Sequence, residues 1–206
     1  EGNNGTVTTT VDGTPTANDQ LDSVLGGSQL RFTARADRSF IFSHWLVNSV
    51  NKGSNAILTI AALGEPTEIE AVFESNTPYT ATAVTAPVER GTISYTLYDI
   101  YGAAVETAEP MPEILTVYAG ESITFTANVI PGSMVEQWQV NGTNDYTNRR
   151  TYNVEAITGD LQITAYLKAA SSYAVHYGVA SEPLGGSLSA TSDRQPFVSN
   201  SILYGG

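Results

Sequence analysis

Few side chains in this sequence could do acid–base, nucleophilic or metal chemistry, and their spacing decides how each is read. There are two histidines, His44 and His176. Neither has a Cys or a second His at ligand spacing, and a zinc site needs several such groups converging. Both are read as surface or half-buried imidazoles. Cysteine is absent, which removes thiolate nucleophiles, thiolate metal sites and disulfides. Glu65, Glu68, Glu70 and Glu74 could suggest the paired carboxylates of glycoside hydrolysis. However, Glu68 and Glu70 alternate with Ile69, Ala71 and Phe73, as on the solvated face of a strand whose other face is buried. Asn141-Gly142-Thr143-Asn144-Asp145 is the nearest approach to a calcium loop. It lacks the remaining ligands, and Asn-Gly is the preferred pair for a two-residue hairpin turn. No Gly-x-Ser-x-Gly, phosphate loop or dinucleotide fingerprint occurs. No catalytic, metal or cofactor residue is assigned, and the chain is read as not an enzyme.

Tyrosine is the remaining candidate for recognition. Tyr95, Tyr98, Tyr101 and Tyr118 crowd a stretch whose counterpart earlier in the chain holds mostly Thr and Ala. Aromatic faces stack on sugars and are favoured at protein interfaces. Alternation places Tyr95 with Ile93 and Leu97 in a core. Tyr98 and Tyr101 are better placed for exposure, and they are the candidate ligand-binding residues, with a glycan as a possible ligand.

The elements that must position these residues occur twice. Leu30-Arg31-Phe32-Thr33-Ala34 and Phe42-Ser43-His44-Trp45-Leu46-Val47-Asn48 are answered by Ile123-Thr124-Phe125-Thr126-Ala127 and Val135-Glu136-Gln137-Trp138-Gln139-Val140-Asn141. The separation is 93 throughout: 125 − 32, 138 − 45 and 141 − 48 all give it. Gly5-Thr6-Val7 is answered by Gly91-Thr92-Ile93, Gly27 by Gly120, and Ile69 to Phe73 by Ile163 to Leu167. A fixed period of this kind marks a tandem array. Residues 1–75 read as a first module, 76–170 as a second, and 171–206 as the N-terminal half of a third. The second module adds a leading strand, Tyr79 to Ala83, and a longer insertion around Tyr101 to Pro112. The ends fall within the pattern, as in a piece of a longer protein.

Period-two alternation, as in Leu30, Phe32 and Ala34 against Arg31, Thr33 and Arg35, predicts strands with one buried face. Phe40 and Phe42 lie on one parity and Trp45 and Val47 on the other, so a β-bulge near Ser43-His44 is expected. The fold expected is all-β, tandem small sheet modules with Trp45 and Trp138 as core anchors. A β-grasp-like α+β module with one short helix is the alternative, its helical turn at Ala61 to Pro66 or Ala156 to Asp160. The net charge of −12 argues against nucleic acid or an anionic membrane as partner. No apolar run is long enough to span a bilayer.

The ordered pattern Gly-Thr-Val, Gly-x-x-Leu-x-Phe-x-Ala, Phe-x-x-Trp-x-Val-Asn and Ile-x-Ala-x-Phe resembles the divergent InlB B-repeat family of bacterial surface proteins. The second module departs from it in its longer loop and in Ser133, which stands where the first has Phe40. The resemblance implies an extracellular or cell-surface location and a spacer or adhesive role, and it supplies no catalytic residues. Partners would be other surface proteins or copies of the chain itself. Self-assembly would run through strand donation by the third segment, where Tyr173, Val175, Tyr177, Val179, Leu188, Ile202 and Leu203 are the candidate assembly residues.

Overall fold

In a computed structural model of the chain, residues 4–171, 191–192 and 195–196 are described. They belong to two units, Glu1–Ala170 and Ser171–Gly206. In the second unit the described part is a short antiparallel pair, Thr191–Ser192 with Gln195–Pro196. His176 and the seven candidate assembly residues, Tyr173, Val175, Tyr177, Val179, Leu188, Ile202 and Leu203, lie outside the described residues.

The first unit is all-β, with 3-10 turns at Asn18–Ser23 and Val88–Arg90 as its helical elements among the described residues. Its first module holds β1 (Gly5–Val11), β2 (Thr14–Thr16), β3 (Leu30–Ala36), β4 (Phe40–Val47), β5 (Val50–Asn51), β6 (Ile57–Ile60) and β7 (Ile69–Ser75). These form one sheet in the order β2-β1-β3-β6 and another in the order β5-β4-β7. The second module holds β8 (Pro78–Ala86), β9 (Gly91–Tyr98), β10 (Ala104–Ala108), β11 (Leu115–Tyr118), β12 (Ser122–Val129), β13 (Ser133–Val140), β14 (Thr143–Asp145), β15 (Thr151–Val154) and β16 (Leu161–Ala169). Its sheets run β10-β9-β12-β15 and β11-β8-β16-β13-β14. Strand for strand the two arrangements correspond, except that β8 and β11 have no counterpart strand in the first.

Local chemistry accounts for the corresponding parts. Each sheet strand next to the tryptophan carries the expected bulge, between Phe42 and His44 in β4 and between Val135 and Gln137 in β13. The extra residue shifts the parity, so side chains on both sides of it reach the core. Val47 and Val50 close around Asn48 and Ser49, and Val140 and Thr143 around Asn141 and Gly142, all four with positive φ. These are the mirror-image turns that match strand twist. Gly5 and Gly91 open equivalent strands, and a β-carbon at either would lie 2.6 Å or 2.5 Å from a carbonyl oxygen of the neighbouring strand. Close strand approach, not turn geometry, explains why both motifs begin with glycine.

The helical turns considered for Ala61 to Pro66 and Ala156 to Asp160 are bends instead. Their backbone groups are engaged elsewhere. Leu63 donates its N–H to the Ser28 carbonyl and accepts from Gly27, while Ile157 donates to Glu121 and accepts from Gly120. Those bonds tie each loop across its module and leave no i to i−4 partner for a helix.

Trp45 is 1% and Trp138 0% exposed. Each indole N–H donates to a loop carbonyl at 2.9 Å, Asn55 for Trp45 and Arg149 for Trp138, so burial leaves no polar atom unpaired. Phe42 and Phe32 pack on Trp45, and Tyr152 on Trp138. The cores differ in completeness. Sixteen buried hydrophobic residues cluster in the second and four in the first, and the missing β8 and β11 account for the difference. Trp138→Ala is expected to destabilise the second module by roughly 3–5 kcal/mol. Denaturation followed by circular dichroism and tyrosine fluorescence will check it. An unchanged midpoint would mean that Trp138 does not anchor the core.

Candidate functional site

The densest set of charged and polar contacts lies where the two modules meet. The β3–β4 turn places Arg38 against the second module, and the loop before β12 supplies Glu121, whose carboxylate is 1% exposed. Arg38 Nε donates to Glu121 Oε1 at 2.7 Å, and its Nη2 donates to the Thr116 carbonyl at 2.9 Å. The Tyr118 N–H donates to the second oxygen of Glu121 at 2.8 Å. The guanidinium also sits 5.3 Å from the centroid of the Tyr118 ring and 3.8 Å from Glu106. Burial works against the Arg38 charge, but the hydrogen bond and the charge of Glu121 outweigh it and hold the group above its ordinary value. Glu106 in turn accepts the Tyr95 hydroxyl. Burial and then this bond push the Tyr95 phenol up to about 12.

A second cluster flanks the first. Arg35 Nη2 donates to Asp99 Oδ2 at 3.0 Å, and its guanidinium carbon lies 4.4 Å from the centroid of the Tyr101 ring. The Tyr101 hydroxyl accepts the backbone N–H of Ala36 at 2.8 Å. Burial raises the Asp99 carboxyl, while the N–H groups of Ala103 and Tyr101 and the Arg35 guanidinium lower it further, leaving it below the usual carboxylate value. At the linker, Asn76 donates its side-chain amide to the Ala119 carbonyl and its backbone N–H to Ser39. Thr77 accepts from the Ala119 N–H. The linker is thus hydrogen-bonded to both modules.

Tyr101, singled out from the sequence for ligand binding, therefore has its face against Arg35 and its hydroxyl on the first module. Tyr98, the other candidate, is half-buried on β9, opposite Ala104 and Ser122. The two do not form one stacking platform: Tyr101 belongs to the intermodule contact. Glu70 and Glu74 lie exposed on β7, and Glu68 is exposed just before it. Among the described residues, no three His, Asp or Glu side chains come together as a metal site, and no helix is long and apolar enough to cross a membrane.

Sequence reasoning missed Arg38, Glu121 and Asp99. A signal was present in the departures from the period. Glu121 stands where the first module has Ser28, and Asp99 and Tyr101 lie in the loop that the first module shortens to Asp12-Gly13. Residues that serve a junction need not repeat, because the two modules present different ends to it.

Arg38→Ala would leave a buried carboxylate with one backbone partner, which costs about 3–5 kcal/mol in a fully buried pair. Partial exposure of Arg38 lowers the expectation to roughly 2–3 kcal/mol. Adding Glu121→Gln should recover part of the loss in a double-mutant cycle. Additive effects would show that the pair does not couple the modules. The Asp99 contribution is fully present above about pH 4 and lost as pH falls through its lowered value. The Tyr95 contribution is fully present below about pH 10 and lost as pH rises toward about 12. Denaturant midpoints across pH, with Asp99→Asn and Tyr95→Phe, should flatten the acid and alkaline limbs respectively. No family model, curated protein or solved structure matches the chain.

Proposed function

We propose that this chain is a non-catalytic, structural part of a bacterial cell-surface or secreted protein, in which tandem β modules act as a spacer or adhesive stalk. The observation that carries this reading is the hydrogen-bonded junction. Inter-domain contacts in a chain are by default mobile unless large and hydrophobic, but a buried ion pair also resists separation, because parting it leaves a desolvated charge unpaired. Here a nearly buried carboxylate, two guanidiniums, two aromatic rings and the linker amide bind one module to the next. A stalk transmits position along its length, and that requires a fixed angle between neighbours. The period of 93 residues and the resemblance to the divergent InlB B-repeat family support the array and its location. The strongly acidic composition suits a solvated surface segment that resists non-specific association.

Antibody labelling of intact cells of the source organism, with protease shaving, tests location: surface signal removed by protease is expected, and a cytoplasmic pool would contradict the reading. Paramagnetic or fluorescence distance measurements between labels in β6 and β15 test rigidity. One narrow distance distribution is expected, broadened by Arg38→Ala. A broad distribution in the unsubstituted chain would contradict the spacer role.

A further inference from the structure

The missing strands leave a site. In the second module, β8 lies between β16, to which it is parallel, and β11, to which it is antiparallel. In the first module the equivalent of β16 is β7, and its side away from β4 has no strand partner among the described residues. The equivalent of β11 at the 93-residue offset is Asp22-Ser23-Val24-Leu25, which is not a strand, and Leu25 there is 79% exposed. Between these two walls lies a groove of about 740 Å³ lined by Val7, Thr9, Leu21, Val24, Ile69 and Ala71 among others, with Trp45 reaching its floor. Strand register gives the counterparts. Ile93, Val117, Ile163 and Ala165 of the second module are all buried, whereas Val7, Val24, Ile69 and Ala71 are half-buried.

We infer that this groove accepts a β-strand, and that its occupant is residues 173–179 of a second copy of the chain. The choice of occupant rests on pattern and size. In β8, Tyr79, Ala81 and Ala83 face the core. At an offset of 94, residues 173–179 read Tyr173, Val175, Tyr177 and Val179 on the same parity. Where the second module has a large wall, Ile93 and Tyr95, it receives small residues, Ala81 and Ala83. The first module has a smaller wall, Val7 and Thr9, and the candidate strand carries larger residues, Val175 and Tyr177. The incoming strand would run parallel to β7, bond to its free edge and draw Asp22 to Leu25 into a ladder on its other side, as β11 does. Strand addition of this kind takes affinity from main-chain hydrogen bonds and specificity from alternate side chains. Donor and acceptor are different surfaces of one chain, so the contact is heterologous and propagates head to tail unless it closes.

The test uses the full chain in analytical ultracentrifugation across a wide concentration range. The expected result is growth beyond the monomer mass of 21.9 kDa as concentration rises. Val175→Pro removes a ladder N–H from the donor, and Val24→Lys places a charge in the groove. Each variant alone should remain monomeric, and an equimolar mixture should stop at the dimer, because it holds one working donor and one working groove. Should Val24→Lys fail to fold, a peptide of residues 171–181 added to the unsubstituted chain should cap growth and raise its Tm, and the same peptide with Val175→Pro should do neither. A chain that stays monomeric throughout, or association that ignores both variants and the peptide, overturns the proposal. A monomer whose Tm falls with Val175→Pro would seat the strand in its own chain and also overturn the exchange between copies. Failure of strand exchange would leave the spacer reading standing.

Discussion

A strand that carries core residues must have its edges and its inner face covered, and this constraint orders the whole first unit. Beneath Trp138, β16 has β13 on one side and β8 on the other, and sixteen residues close into a core. Beneath Trp45, β7 has β4 as its one strand partner among the described residues, and the same set of inward positions is left half-covered. A difference in local structure follows. The residues that would form a strand beside β8 form a 3-10 turn and an open segment instead, because a strand without a partner leaves its amide and carbonyl groups to water. The exposed Glu70 and Glu74 on β7, with Glu68 just before it, then discourage pairing along an open edge.

The junction solves a separate problem. Two small sheet sandwiches joined by a two-residue linker, Asn76 and Thr77, would swing freely without further contacts. Arg38 and Glu121 suppress that freedom because the carboxylate is desolvated and its two oxygens are satisfied by one guanidinium and one backbone N–H. A surface ion pair would contribute little. A pair with one member buried is different, since either partner alone is left with an unmet charge. Asp99 and Tyr101 hold the more exposed Arg35 at the flank, so a weaker second contact adds to the first.

Much of the fold was legible in the sequence, for local reasons. The parity change between Phe42 and Trp45 required a bulge, and a bulge is there. The two tryptophans occur in the same ordered context, and both are buried with their N–H groups bonded to loop carbonyls. Asn141-Gly142 reads as a hairpin turn and is one. Long-range partition was not legible. That β8 joins β16, about eighty residues later, in a parallel pair is set by which edge is free once the sheets form, and no periodicity encodes it. The loop backbones at Leu63 and Ile157 looked helical because their partners, Ser28 and Glu121, are distant in sequence. Tyr101 looked exposed because alternation within one strand says nothing about a neighbouring module. Nothing in the sequence pattern marks Arg38 and Glu121, for the same reason.

Among the described residues, β7 has an open edge of the same kind that β8 closes in the second module. Amide hydrogen exchange resolved along the chain tests it most directly. In dilute solution, alternate amides of Ile69 to Ser75 should exchange much faster than their counterparts in Leu161 to Ala169, and should gain protection as concentration rises. Equal, concentration-independent protection of the two strands would contradict the account, because it would mean that the edge of β7 is already covered.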